Sequence, residues 1–385
     1  MASPVVIIGA GLAGYNLARE FRKLDPTAPL VVIANDKAGF YSKPMLSNAL
    51  AGKKKTVETL VMKSAAKMAE ELNAIIRADT EVVGVDLASK VLLLSDGQAQ
   101  PYRDLVLAVG AQPVRLRLQG DAADEVLSVN HIEDFAVFAQ ALEGAQRVAI
   151  IGGGLIGCEF ANDLLAREIA PVVIEAGAWP LPGLLPDVAG AWFAARLTQS
   201  GVRFVLNTTA QAVNKSGNGY AVTLSSGEVI ECDRVLSAVG LHPNTALAEA
   251  AGLHVNKGVA VDRQLRTSNP NVFALGDCAE VETIHLPYVM PLMHAARTLA
   301  QVLAGKDDVA LAYPAMPVLV KTPACATIVA PPAHGALGEW QVQAQEDAVE
   351  AHFVGADGQL LGFALLGAAT KQRQILSAKL PPVLP

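Results

Sequence analysis

Cysteine is scarce in this sequence and poorly placed for chemistry. Cys158, Cys232, Cys278 and Cys325 stand 46 or more positions apart, with no C-x-x-C or similar close pair. That spacing excludes a zinc knuckle, a cluster-binding set and a local dithiol shuttle, and the four thiols read as core residues. Long hydrophobic runs are also missing. Mean hydropathy is +0.34, yet Gly, Pro or a charge interrupts every apolar stretch before the roughly 20 residues that a spanning helix needs. Basic stripes are absent and the net charge is -7, which argues against a nucleic-acid partner. The start, "MASPVVIIGAG", has no basic leader region and enters a strand at once, unlike a secretory signal. A cytoplasmic chain outside the membrane is therefore expected. No G-x-S-x-G elbow occurs, and the histidines show no spacing that suggests a metal or a triad.

Glycine is plentiful, with 32 in 385 residues, and two groups of three carry the argument. "VVIIG" reads as a parallel strand buried on both faces, followed by the helical stretch "LAGYNLAREFRKL" and a second strand, "PLVVIAND" at 29–36. From Arg147 the same order recurs: "VAIIG", then "LIGCEFANDLLARE", then "PVVIEAG" at 171–177. Each is a βαβ unit, so the architecture is duplicated and the fold class is α/β. The parallel extends further, since 81–110 and 221–240 both read as strands around a "DG" or "SG" turn and both end in "AVG". From Tyr313 the pattern changes to Pro-rich short strands and a short final helix near Lys371 to Ala378, which marks a small α+β domain.

Each βαβ unit opens on G-x-G-x-x-G. The first glycine makes the tight turn, the second lets backbone amides approach a pyrophosphate, and the third permits close helix packing. Gly9, Gly11 and Gly14, with Ala10 and Leu12 between them, form one such turn; Gly152, Gly154 and Gly157 form the other. The confirming acid closes the second strand about 20 residues on and accepts hydrogen bonds from ribose hydroxyls. Glu175 meets that requirement at the end of "VVIE", and no Lys or Arg in "EAGAW" would neutralise a 2′-phosphate. NADH is therefore expected in preference to NADPH. The first turn departs from the rule: at the corresponding distance from Gly14 stands Ala34, and the nearest acid is Asp36. There the ribose is expected on backbone groups of Ala34 and Asn35, or on Asp36.

Further along, "TSNPNVFALGDCAE" at 267–280 resembles the second flavin motif of the glutathione-reductase-like two-dinucleotide flavoproteins. The resemblance covers essentially the whole chain and implies two Rossmann-like domains, one for FAD and one for NAD, with a small C-terminal α+β domain. It makes Asp277 the aspartate that binds a ribityl hydroxyl, and the two "AVG" endings the segments that cross between domains. The implied division is 1–111 and 238–314 for FAD, 112–237 for NAD and 315–385 for the C-terminal domain. "FYSKPMLSNALAGKK" at 40–54 looks like the matching segment of the ferredoxin-reductase and rubredoxin-reductase branch. Disulfide reductases carry a redox-active C-x-x-x-x-C there, whereas this chain has "SKPMLS". Lys43 would lie beside the flavin near N5, where a cation stabilises negative charge, and Glu159 on the nicotinamide side. The resemblance also implies flavin contacts from the Val289 backbone at a helix N-terminus, from Lys321, and from the Val82 backbone under the adenine.

Motifs of this branch imply an enzyme that takes hydride from NADH onto flavin and passes single electrons to rubredoxin, supporting alkane hydroxylation. NADH:ferredoxin reduction for a dioxygenase, and a non-enzymatic NADH-responsive flavoprotein, are the alternatives. An NADH oxidase is disfavoured by the missing thiol. Rubredoxins are small and acidic as a family, so docking to an acidic reductase needs a local basic or apolar patch. Lys53, Lys54 and Lys55 are candidates for its rim, and a monomer is expected.

Overall fold

The computed structural model describes residues 3–51 and 57–385. Its first sheet is wholly parallel, in the order Val272–Ala274, Asp104–Leu107, Val5–Ile8, Leu30–Ile33 and Ile75–Arg77. Val5 to Ile8 and Leu30 to Ile33 are buried throughout, as continuous apolar runs covered on both faces should be. The expected strand at 29–36 shortens to Leu30–Ile33 because the chain leaves the ladder at the residues that line the cleft. Four of these strands lie between Val5 and Leu107, but the edge strand Val272–Ala274 returns from far along the chain. That return places Asp277 at the same strand ends as the first glycine turn.

A second parallel sheet repeats the design, in the order Arg203–Val205, Ala170–Ile174, Arg147–Ile151 and Arg234–Ser237. Each parallel sheet carries a three-stranded antiparallel meander. The first is Val82–Asp86, Val91–Leu94 and Ala99–Pro101; the second is Ala210–Ser216, Gly219–Leu224 and Val229–Cys232. Directly after the two "AVG" endings, Ala111–Pro113 and Leu241–Pro243 pair antiparallel with each other. The two crossings between the parallel sheets are thus hydrogen-bonded together.

The last sheet is antiparallel, in the order Val318–Val320, Thr327–Ala330, Leu360–Gly367, Ala348–Val354 and Glu339–Ala344. It lies against the helix Asp187–Gln199 of the middle unit. Trp192 Nε1 donates to Gln345 O at 3.1 Å, Arg196 donates to Glu346 O, and the Arg196 guanidinium sits 4.6 Å from the Trp192 ring centroid. The final helical turn expected near Lys371 to Ala378 is a 3-10 stretch, Ala368–Gln372, running into the short helix Arg373–Ser377. Among the described residues no helix is long and apolar enough to cross a membrane.

Candidate active site

Both glycine turns are built by the same contacts. Gly9 has φ +115° and Gly152 φ +105°, a region that side chains rarely adopt. A Cβ at Gly9 would stand 2.2 Å from Ala108 O, and one at Gly152 would stand 2.7 Å from Ala238 O. The alanines of the two "AVG" endings are therefore the walls against which the turns are made. A Cβ at Gly14 or Gly157 would lie 1.9 Å from the carbonyl of its own turn, so the third glycine sets the helix-to-strand approach. The middle glycines behave differently: at Gly11 and Gly154 a Cβ would meet nothing within 4 Å. These two backbones face open space, at the N-caps of Leu12–Leu24 and Leu155–Leu165, neither of which has a side-chain cap. Uncapped amides beside an open approach suit a pyrophosphate, so both turns fit a dinucleotide.

The two turns open into one cleft of about 1260 Å³. Every cofactor residue expected from the sequence lines it except Gly14 and Gly157, which are the packing glycines. Glu175 curls over the second turn, its Oε2 accepting from Gly153 N at 2.6 Å and its Oε1 from Gly177 N at 2.7 Å. At the first turn, Ala34 donates to Arg77 O and accepts from Thr80 N, so its amide is engaged while its carbonyl oxygen keeps a second lone pair. Asp36 Oδ1 accepts from Ala38 N at 2.8 Å. The Ala34 carbonyl oxygen, Asn35 and the other Asp36 oxygen are the groups left for a ribose. Val82 begins its meander strand and Val289 begins the helix Val289–Leu303, both at the cleft wall.

Where the two halves of the cleft meet, charged groups gather from four parts of the chain. Lys43 heads a 3-10 segment, Lys43–Asn48. Burial pushes its ammonium below the ordinary lysine range, and Asp277 and then Asp134 oppose that shift. Asp277 makes no hydrogen bond with its carboxylate among the described residues, while its backbone oxygen pairs with His285 Nε2 at 2.9 Å. An uncommitted carboxylate on the cleft wall fits a polyol chain.

Glu159, 1% exposed, is instead fully engaged. Its Oε1 accepts from Lys321 N at 2.9 Å, and its Oε2 accepts from Ser47 Oγ at 2.5 Å and from Lys321 Nζ. Lys321 Nζ also donates to Pro44 O at 2.5 Å and Ser47 Oγ at 2.9 Å. The structure thus pairs Glu159 with Lys321, the residue that follows the edge strand Val318–Val320 of the last sheet. Ser47 was missed by sequence reasoning, although it closes the "SKPMLS" stretch that stands in place of a cysteine pair. Asn130 was missed as well: 2% exposed, it lines the cleft and donates from Nδ2 to Ala111 O at 2.8 Å, while its Oδ1 has no partner. No motif announces it. Lys53, Lys54 and Lys55 lie outside the described residues.

All four cysteines are free and buried. Burial raises Cys232, Cys278 and Cys325 to about 11 and Cys158 higher still, so none is a ready thiolate near neutral pH. Among the described residues no group of His, Cys, Asp or Glu could hold a metal ion.

Two dinucleotide turns facing across one cleft, with paired charges at their meeting point and no reactive thiol, define a flavin- and nicotinamide-dependent oxidoreductase. Comparison with known proteins narrows that class. The chain belongs to the pyridine nucleotide-disulphide oxidoreductase family, whose profile matches residues 3–300. A second profile, the rubredoxin binding C-terminal domain, matches 310–380. The rubredoxin-NAD(+) reductase of Alcanivorax borkumensis is 46% identical over 99% of this chain and 100% of its own length. That of Acinetobacter baylyi is 45% identical, covering 99% of each. Among solved structures, a ferredoxin reductase from Rhodopseudomonas palustris superposes with a TM-score of 0.89 at 27% identity, covering 100% of this chain and 96% of its own.

Proposed function

We propose that this chain oxidises NADH and delivers the electrons singly, through bound FAD, to a rubredoxin. The observation that carries this reading is the single cleft in which both glycine turns, Lys43, Asp277 and the Glu159–Lys321 pair converge. Bound FAD supplies a centre that accepts two electrons together and releases them one at a time. The chain's own residues do the rest. Gly11 and Asp277 hold the flavin nucleotide, with 1–111 and 238–314 as its domain; Gly154 and Glu175 hold the nicotinamide nucleotide, with 112–237 as its domain. Lys43 provides positive charge at the junction. Glu159, Ser47 and Lys321 tie the first unit, the middle unit and the C-terminal domain, 315–385, around the reacting edge. All four thiols are buried with raised pKa values, so no cysteine of this chain would serve as an electron relay between FAD and the acceptor.

Met290 and Leu319 are 50% and 56% exposed and both line the cleft. They supply apolar surface on which an electron carrier would dock. The chain works as a monomer in the cytoplasm on this reading. Anaerobic titration tests the core of it: the purified protein is yellow, and NADH bleaches the flavin band. A panel of rubredoxins and ferredoxins then names the acceptor, the rubredoxin being reduced with the higher kcat/KM. A colourless protein, or a flavin indifferent to NADH, removes the proposal, and a preference for ferredoxin replaces it with the dioxygenase-type alternative. The role in alkane hydroxylation is supported by the sequence resemblance alone. A deletion strain that still grows normally on alkanes removes that part.

A further inference from the structure

The helix Leu155–Leu165 carries a second buried carboxylate that the proposed reaction does not yet use. Asp163 is 1% exposed and lies one helical turn after Glu159, on the same helix face. Its Oδ2 accepts from Leu50 N at 2.7 Å and its Oδ1 from Ala51 N at 2.9 Å. Both amides closely follow the 3-10 segment that bears Lys43 and Ser47. The helix therefore grips this segment at two points: Glu159 through the Ser47 hydroxyl, and Asp163 through two backbone amides.

Glu159 and Lys321 hold the segment at Ser47 and Pro44, which leaves the chain just beyond its C-terminal end without a polar tie from this cluster. Asp163 supplies that tie one helical turn away, so the segment is held at both ends and the place from which Lys43 projects into the cleft is fixed. The residue type matters. Two neighbouring amides are both donors, and a carboxylate offers an acceptor to each, with the added strength of a charged acceptor. Asparagine would turn a donor toward one of them. The N-terminus of this same helix is the second glycine turn, so one rigid element sets both the nicotinamide site and the position of Lys43.

We infer that Asp163 is a positioning residue for hydride transfer, acting through Leu50 and Ala51 on Lys43 and Ser47. The inference rests on the flavin and nicotinamide reading above. The test is anaerobic stopped-flow reduction of the bound flavin by NADH in wild type, D163N, D163A, S47A and D163N/S47A. In D163N the limiting rate is expected to fall about tenfold or more, as sub-ångström misplacement at a reacting centre can cause. The NADH concentration for half-saturation stays within about twofold and FAD remains bound. D163A, which keeps neither acceptor, is slower than D163N. The double variant loses less than the product of the single losses, because both residues act through one segment.

A D163N enzyme reduced at the wild-type rate overturns the inference. So does a loss that multiplies independently with that of S47A, or a defect confined to FAD retention and melting. Amide exchange on the wild-type holoenzyme tests it without any variant: Leu50 and Ala51 should exchange as slowly as the interior of Leu155–Leu165, and fast exchange would sink the idea. If wild-type flavin is not reduced by NADH at all, it is the functional reading that fails.

Discussion

Lys43 shows how burial sets the chemistry of a single residue. Its depressed pKa means that positive charge is present at low pH and is lost, as pH rises, before an exposed lysine would lose its own. The limiting rate of flavin reduction by NADH should therefore decline on the alkaline side below the ordinary lysine range. Lys43→Met should be slower throughout and should lack that limb. Stopped-flow rates across pH check this, and an identical alkaline limb in the variant assigns the titration elsewhere. The sign for stability is the opposite one. The unfolded chain holds this proton more tightly, so the contribution of Lys43 to stability rises as pH climbs from the folded to the unfolded pKa.

At this scale the sequence was only partly legible. Glu175 and Asp277 were visible because each stands in a motif whose spacing strand geometry sets. The Glu159–Lys321 pair was not, since the two residues are far apart in the chain and only tertiary packing brings them together. Asp163 carries no motif, and its meaning comes entirely from the amides it faces.

Elements read more clearly than residues. The first helix, Leu12–Leu24, spans the expected stretch, because an apolar stripe at helical spacing and a glycine turn in front leave little choice. Strand ends were less legible: Ile33 and Ile174 close their strands earlier than their apolar or acidic neighbours suggested, since those neighbours turn into the cleft. The antiparallel pair Ala111–Pro113 and Leu241–Pro243 escaped notice because such short ladders leave no periodicity.

The two middle glycines make an element-level prediction. Both open onto the cleft, so alanine at either should fold yet crowd only its own nucleotide. G11A should be purified with much reduced flavin content, read from its visible spectrum. G154A should stay fully yellow and need about tenfold or more NADH for half-reduction, because the methyl group stands where the pyrophosphate must approach. The reverse pattern would exchange the two assignments. G9A, by contrast, forces a Cβ onto a backbone oxygen 2.2 Å away and should lose stability as well as flavin.

Across the whole molecule, the missing dithiol decides the electron route. The native holoprotein treated with iodoacetamide at about pH 8 should keep its rate of rubredoxin reduction, because every thiol is buried and its pKa raised. Mass spectrometry should find the four cysteines unmodified, whereas all four should react after unfolding. Rapid inactivation with one cysteine labelled would restore a thiol to the mechanism. Duplication of the βαβ unit made this large-scale plan the most legible level of all, since one family profile takes in both units and both turns announce themselves.

The strand Val272–Ala274 has a consequence for synthesis. Once Asp104–Leu107 has left the ribosome and joined Val5–Ile8, its outer side is still a bare sheet edge, and the strand that will cover it lies far downstream, beyond the whole middle unit. An exposed parallel edge invites pairing with other chains. The nascent protein must carry that edge until the middle unit has emerged and folded, so its solubility during translation should depend on how quickly 112–237 collapses beside it.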